Sequence, residues 1–264
     1  MNRAKFYAYL RQRNSGVFGT SLSQRQVEGM EALLDAGVRG RLSDLHHMAN
    51  VLGQVYHETG GRMYPVREAF ASTDKGAMAA LEKAWKAGRM KWVKTPYWRE
   101  GWFGRGFIQI THKANYAKLG AAIGMNLASR PDLALVPRIS ADIAVVGMRD
   151  GLFTGKRLSH YDFPDALGYG PDGNPRRIVN GRDGTDKKVA GYHRAFYNAL
   201  IAGGWGTYTL KDPVARPQAP KPEPVAPKSQ PEAPQKPTAK GGLVAAVFAG
   251  LAALAAWAKS RGWW

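Results

Sequence analysis

Residues 43–61, SDLHHMANVLGQVYHETGG, decide the fold because they describe one helix together with its end. Apolar side chains recur at helical spacing and form one face: Leu45, Met48, Ala49, Leu52, Val55 and Tyr56. Two adjacent glycines, Gly60 and Gly61, then stop the helix. We therefore predict a helix over residues 43–58 that buries its apolar face and ends at Glu58.

The same spacing predicts six further helices, at residues 3–12, 23–36, 74–87, 112–123, 138–151 and 186–202. Ser23, Ser43 and Thr111 stand where a side-chain oxygen can cap a helix N-terminus. Little strand is visible, apart from an extended piece at 107–111. Stretches rich in glycine, proline, aspartate and aromatic residues predict loops lining a cleft, at 59–73, 94–110 and 160–185. These features indicate a mainly α domain.

Composition excludes several classes of protein. The chain has 264 residues, 44% of them apolar, a net charge of +18 and no cysteine. It can bury a core, and it can form neither a disulfide scaffold nor a cysteine-ligated zinc site. Residues 213–264 contribute +5, so the preceding part keeps +13. Such a charge predicts an acidic partner: nucleic acid, anionic lipid or an anionic cell wall.

The C-terminal part changes character at Pro213. Nine of the sixteen prolines fall between residues 213 and 240, a composition typical of a linker. The uncharged run at 241–258, GGLVAAVFAGLAALAAWA, is long enough to span a membrane, although a core or partner-binding helix is the alternative. A short basic, tryptophan-containing tail follows at 259–264. No N-terminal signal peptide is visible, so synthesis in the cytoplasm is expected.

Glu58 is the first candidate for chemistry, because it lies at the end of the helix and borders its apolar face. Burial and the negative end of the helix dipole both oppose ionisation of a carboxylate. A glutamate kept protonated in this way suits a general acid. The alternative is a solvated glutamate near a helix end.

Glu68 follows ten residues later in YPVREAF, beyond a glycine-containing loop that can turn it back toward Glu58. Glycoside hydrolysis needs at least two carboxylates that face each other across a cleft. A surface ion pair of Glu68 with Arg62 or Arg67 is the alternative.

A third segment, REGWFGRGFIQITHKANY at 99–116, combines aromatic and polar side chains. Aromatic faces pack against pyranose rings, while amides and hydroxyls bind sugar hydroxyl groups. Candidate sugar-binding residues are Trp102, Gln109, Asn115 and Tyr116. A capped helix preceded by a buried strand explains the pattern equally well.

No metal or cofactor is predicted. His57-Glu58 does not begin a metalloprotease motif, because Gly61 occupies the position of the second histidine. The adjacent His46 and His47 point to different faces of a helix and cannot share a metal ion.

These motifs together resemble glycoside hydrolase family 19, the chitinase class I family. HETGG, a downstream glutamate, YWREGWFGRGFIQITHKANY, RPDLAL at 130–135 and RRIVNGRDG at 176–184 follow its order over about residues 22–200. The sequence is most similar to the chitinase-like endolysins of phages and prophages. The resemblance implies a lysozyme-like, two-lobed helical domain with its active site in a deep cleft.

Residue by residue, the resemblance implies that Glu58 is the general acid and Glu68 the general base. Their separation is shorter than in the plant enzymes, so Glu100 is a reserve candidate for the base. Thr111 matches the residue that helps to hold the attacking water. Sugar-contacting amides match Gln109, Asn115 and Asn180.

Peptidoglycan is the predicted substrate, because an anionic wall attracts a basic domain and neutral chitin does not. We therefore predict a monomeric catalytic domain at 1–212 that cleaves peptidoglycan strands, is tethered to a membrane through 241–258 and has no specific nucleic-acid partner. The alternatives are a chitinase, a lytic transglycosylase that uses Glu58 alone, and a non-enzymatic protein that binds walls or nucleic acid.

Overall fold

The computed structural model describes residues 1–163, 175–181 and 183–206. The helices of that part are α1 (Arg3–Leu10), α2 (Gln24–Arg39), α3 (Leu45–Glu58), α4 (Asp74–Lys86), α5 (Lys113–Ile123), α6 (Pro137–Asp150) and α7 (Asp186–Gly203). They confirm the mainly α class and each of the seven predicted helices. The predicted linker, hydrophobic helix and tail, residues 213–264, lie outside the described residues.

Helix α3 is the centre of the domain. It packs against α7, while α2 packs against α6 and α1 also packs against α7. Every residue from Met48 to Val55 is buried, so α3 is covered on more sides than the single apolar face that its sequence predicts. Gly53 permits the close approach of α7, since a Cβ there would lie 2.9 Å from the backbone nitrogen of His193.

The two ends of the described fold meet. The backbone N–H of Asn2, just before α1, donates a hydrogen bond of 2.7 Å to the carbonyl oxygen of Gly203, the last residue of α7. A Cβ on Gly203 would lie 3.1 Å from Cβ of Phe6, so α1 and α7 are in close contact here.

Two of the three predicted helix caps are corrected. Ser23 caps α2 and forms a capping box with Gln26, as its position predicts. The cap of α3 is Asp44 and not Ser43, because the Asp44 carboxylate accepts from the backbone N–H of His47. Thr111 does not cap α5: His112 occupies that position, at a φ of 64°.

The predicted extended piece at 107–111 is wrong. The structure has two short antiparallel strands, β1 (Val66–Arg67) and β2 (Arg105–Gly106), with Val66 opposite Gly106 and Arg67 opposite Arg105. The chain turns immediately after β2, and Ile110 pairs back with Arg105. Gln109 adopts a φ of 52° in this turn, a conformation that the alternation of apolar side chains does not reveal.

Apolar side chains form one main core and two smaller ones. The main core joins α1, α2, α3, α6 and α7. The second lies between α5 and α6, and the third lies under α4 with Trp98 and Phe103. The two-lobed shape with a deep cleft stays a prediction. Within the described residues, every helix is too short or too polar to cross a membrane.

Candidate active site

Glu58 ends α3 as half of a buried ion pair. Its Oε1 lies 2.7 Å from Nη1 of Arg176, and the two side chains are 8% and 2% exposed. The same Nη1 donates to Oε1 of Gln54, one turn earlier on α3. The alternative that Glu58 is a solvated residue near a helix end is therefore wrong.

Arg176 also holds a second carboxylate. Its Nη2 lies 2.7 Å from Oδ2 of Asp183, whose side chain is 2% exposed. Burial opposes ionisation of Asp183, but Arg176 and the Thr185 hydroxyl outweigh it and lower the pKa of Asp183. Asn180 is fully buried and donates to the same Asp183 oxygen over 3.0 Å. We call Gln54, Glu58, Arg176, Asn180 and Asp183 the Arg176 cluster.

Charge in the Arg176 cluster is unbalanced when both acids are ionised, because one guanidinium faces two carboxylates. Arg176 fixes the position of the Glu58 carboxylate at the end of α3.

Glu68 lies directly after β1 and is also buried, at 2% exposure. Its Oε1 accepts from the hydroxyl of Tyr97 over 2.7 Å, and its Oε2 accepts from the backbone N–H of Gly104 over 2.6 Å. The strand pair positions it, because the Glu68 N–H in turn donates to the Gly104 carbonyl oxygen. Glu68, Tyr97 and Gly104 form the Glu68 cluster.

Burial raises the pKa of Glu68 to about 7, although Gly104, Tyr97 and Arg105 each act to lower it. Burial and the Glu68 carboxylate in turn raise the pKa of Tyr97, which keeps this hydroxyl protonated as a donor. The Glu68 carboxylate uses two of its acceptor positions inside the protein.

Gln109 lies in the turn after β2, against the Glu68 cluster. Its amide nitrogen donates to the carbonyl oxygens of Val66 and Gly106, so this group holds β1 to the turn. A Cβ on Gly104 would lie 2.9 Å from Oε1 of Gln109 and 3.4 Å from Oε2 of Glu68. Gly104 thus lets both side chains approach the same stretch of backbone.

Thr111 follows the turn and is 2% exposed. Its hydroxyl has no hydrogen-bond partner among the described residues, whereas its carbonyl oxygen accepts from the amide of Asn115 over 2.9 Å. Buried polar groups without a protein partner are commonly satisfied by ordered water. The water-holding role of Thr111 stays a prediction.

The two predicted aromatic contacts differ in position. Trp102 is half-buried, and Nζ of Lys113 lies 5.9 Å from the centre of its ring. Tyr116 is fully buried, and its hydroxyl donates to the Phe103 carbonyl oxygen and accepts from Arg105. The prediction that Tyr116 faces a sugar is corrected, because its ring belongs to the core and its hydroxyl bonds are internal.

The two candidate bases differ in burial. Glu100 is exposed at the end of a short 3₁₀ turn, whereas Glu68 is enclosed. The alternative of a surface ion pair for Glu68 is wrong. Arg67 pairs with Asp74 over 2.6 Å, and Arg62 stacks on the ring of Phe70.

Backbone strain is concentrated in this region. Six non-glycine residues of the described chain have positive φ, and five of them lie near the two clusters: Met63, Ala69, Phe70, Gln109 and His112. Each such residue costs roughly 1–3 kcal/mol and persists only where its surroundings hold it. Ala69 and Phe70 directly follow Glu68, so the strain is adjacent to the buried carboxylate.

Several residues of the site were missed by sequence reasoning. Arg176 and Tyr97 contact the two glutamates, Gln54 and Asp183 hold Arg176, and none of the four was a candidate. One signal was present on α3: Asn50, Gln54 and Glu58 are spaced by four and form a polar stripe on an otherwise apolar helix. Among the described residues, no group of three or more His, Asp or Glu side chains is arranged to hold a metal ion.

Comparison with known proteins finds a matching family model. Residues 31–149 match the model of glycoside hydrolase family 19, described as chitinase class I. No curated protein is similar enough to match the chain. The matched stretch contains Glu58, Glu68 and Thr111 and ends before Arg176. It supports the family 19 assignment made from the motifs, and the predicted similarity to phage endolysins stays a prediction.

Two of the solved structures that are similar to the chain are chitinases. One is a bacterial family 19 chitinase, with 21% identity over 75% of this chain and 93% of its own and a TM-score of 0.45. The other is chitinase C from Streptomyces griseus HUT6037, with 19% identity over 76% of this chain and 91% of its own and a TM-score of 0.43.

Proposed function

We propose, from the premise that this chain carries a glycoside hydrolase family 19 domain and is a glycosidase, that it cleaves the glycan backbone of peptidoglycan. Glu58 is the general acid that protonates the leaving oxygen, and Glu68 is the general base that activates water. The observation that carries the proposal is the presence of two buried glutamates in different electrostatic environments, on either side of one short loop.

The environments suit the two roles. Glu58 is held at the end of α3 by Arg176, which positions its carboxyl group for proton transfer to the leaving oxygen. Glu68 has a pKa raised to about 7, which makes it a stronger base than an ordinary carboxylate and leaves it ionised in a useful fraction at neutral pH. The unpartnered hydroxyl of Thr111 supports a place for the attacking water.

Charge supports peptidoglycan as the substrate. The part of the chain before residue 213 carries +13, and the wall polymer is anionic. Long-range attraction brings a basic protein to an anionic polymer over about 8–10 Å at physiological salt. Chitin is neutral and gains nothing from this attraction.

The C-terminal segment completes the proposal as a tether. Residues 241–258 carry no charge and, as a helix, would extend roughly 27 Å, close to the thickness of a hydrocarbon core. Residues 213–240 would connect this anchor to the catalytic domain. Deletion of residues 241–264 is expected to abolish sedimentation with lipid vesicles and to leave turnover of soluble wall fragments unchanged; sedimentation that persists would refute the anchor.

The decisive test is mass spectrometry of the products after the full chain digests purified peptidoglycan, with Glu58→Gln as the control. Fragments that end in reducing N-acetylmuramic acid are expected and identify a muramidase. Ends in reducing N-acetylglucosamine would identify a glucosaminidase. Anhydro-sugar ends would identify a lytic transglycosylase that uses Glu58 alone.

Chitinase activity is the second candidate, because the matching family is described as chitinase class I. Under this alternative, chitin oligosaccharides are cleaved and peptidoglycan is left intact by the same preparation. A side-by-side digestion of both polymers separates the two functions.

A further inference from the structure

We propose that Arg62 and Phe70 form a subsite for a carboxylate of the substrate, which makes Arg62 a residue that selects anionic glycans over neutral ones. This inference rests on the proposed function and names the feature of the polymer that the site recognises.

The first observation is the position of the pair. The guanidinium carbon of Arg62 lies 4.0 Å from the ring centre of Phe70. A Cβ added to Gly60 would lie 3.1 Å from Nη1 of Arg62 and 3.4 Å from Cζ of Phe70. The stacked pair therefore packs directly against the backbone two residues after Glu58, and Phe70 itself is two residues after Glu68. It bridges the segments that carry the two proposed catalytic carboxylates.

The second observation is how the ring is held there. Ala69 and Phe70 have φ values of 58° and 53°, the left-handed region that side chains other than glycine rarely adopt. Two consecutive residues in this conformation turn the chain sharply after Glu68. The turn brings the Phe70 ring back to Gly60, where it supports the guanidinium.

The third observation is that Arg62, unlike its neighbours, forms no ion pair with a described carboxylate. The other arginines of this region are paired: Arg67 and Arg105 with Asp74, and Arg176 with Glu58 and Asp183. No carboxylate of the described residues forms an ion pair with Arg62, and its one internal hydrogen bond is a long one of 3.4 Å to the Thr59 carbonyl oxygen. Arg62 is exposed.

An exposed guanidinium on an aromatic face is suited to a carboxylate. Its planar fork of N–H groups matches the two oxygens, and the ring beneath it restricts its orientation. Chitin offers no carboxylate. Peptidoglycan carries them on its stem peptides, and N-acetylmuramic acid exposes one on its lactyl group once the peptide is removed.

The test compares Arg62→Gln with Arg11→Gln, which removes an equal charge from an exposed arginine at the end of α1. With native sacculi, kcat/KM is expected to fall roughly tenfold for Arg62→Gln and to stay near wild type for Arg11→Gln. With chitin oligosaccharides, any residual cleavage should be equal in the two variants. Arg62→Lys keeps the charge without the planar fork and should fall between wild type and Arg62→Gln.

A second experiment removes the carboxylates from the substrate instead of the guanidinium from the protein. Amidation of the sacculus carboxylates with a carbodiimide and an amine also removes the long-range attraction, so it should lower kcat/KM for both proteins, but the fall should be roughly tenfold larger for wild type than for Arg62→Gln. Glycan strands stripped of their peptides locate the carboxylate. Loss of the Arg62→Gln effect on them assigns the stem peptide, whereas an effect on these strands shows that the lactyl carboxylate freed by stripping also occupies the subsite.

The inference is overturned if wild type digests native sacculi while Arg62→Gln and Arg11→Gln behave alike. It is also overturned if amidation weakens wild type and Arg62→Gln equally. Failure of wild type to digest any peptidoglycan is a different result, since it refutes the proposed substrate and the subsite together.

Discussion

Gly29 on α2 lies directly against Met63, in the loop between Glu58 and Glu68: a Cβ on Gly29 would fall 1.7 Å from the Met63 carbonyl oxygen. Glycine is thus required for α2 to support this loop. We expect Gly29→Ala to lower the free energy of unfolding by about 3 kcal/mol, because the backbone of one segment must move. Gly191→Ala is the matched control on α7, where nothing lies within 4 Å, and it should stabilise by roughly 0.5–1 kcal/mol. Urea unfolding of both variants checks the contrast, and equal effects would contradict it.

The roles of the two glutamates can be separated chemically. Glu58→Gln is expected to lower kcat on peptidoglycan by about 10²–10⁴-fold and to recover on a glycoside with a dinitrophenyl leaving group, which needs no proton. Glu68→Gln should not recover with that substrate, but should be rescued by azide as an external nucleophile. Glu28→Gln, at an exposed position of α2, serves as the control. The opposite pattern of recovery would exchange the two roles.

Glu68 makes stability depend on pH. Its pKa is about 7 in the folded protein against 4.5 ordinarily, so the neutral form is the one that burial accommodates. The stability associated with this protonated form is fully present below pH 4.5 and is lost as the pH rises through about 7. Relative to Glu68→Gln, which stays neutral, wild type should lose up to about 3 kcal/mol between those limits. Urea unfolding from pH 4 to 8 measures it; a constant difference would show that Glu68 does not titrate there.

The Tyr97 side chain affects the same ionisation of Glu68. Its hydroxyl donates to Oε1 of Glu68 over 2.7 Å and favours the ionised carboxylate. Tyr97→Phe removes this donor and should raise the pKa of Glu68 further, so the acidic limb of the kcat/KM profile moves to higher pH. Tyr9→Phe on α1 is the control. An unmoved limb, in a variant that remains active, would separate Glu68 from the ionisation that limits the rate.

Arg176 is expected to be the residue whose loss destabilises the site most. Arg176→Gln leaves two buried carboxylates without their cation, and breaking such a pair typically costs about 3–5 kcal/mol. The control is Arg99→Gln, which breaks the exposed pair with Glu82 and should lower the free energy of unfolding much less. Urea unfolding at neutral pH gives both numbers. Similar small losses in both variants would mean that the cluster relaxes or admits water.

Helix positions could be predicted because they depend on local spacing. Seven periodic apolar segments became seven helices, and Ser23 with Gln26 marked a helix start by chemistry that acts within three residues. The turn after β2 could not be predicted. Its alternation of Phe107, Ile108 and Gln109 is also that of a strand, and only the long-range pairing of β2 with β1 and Ile110 forces the chain to reverse.

Only part of the candidate site could be predicted from the sequence, again because some of its contacts are long-range. Glu58 and Glu68 stand in a recognisable motif, but their partners come from distant stretches: Arg176 lies beyond α6, and Tyr97 lies between α4 and β2. Sequence distance conceals such contacts. The prediction for Tyr116 was wrong for a different reason. This aromatic residue lies in a motif that is typical of sugar binding, but its position on α5 also has the spacing of the residues that face the core.

The hydrogen bond between Asn2 and Gly203 has a practical consequence for engineering. Because the two ends of the described fold touch, a short peptide can join them without crossing the domain, and the chain can be reopened elsewhere as a circular permutant. The exposed turn at Ser129, between α5 and α6, is a suitable new terminus. In such a permutant Arg176 would precede Glu58 in the chain, so the buried cation would be synthesised before the carboxylate with which it pairs.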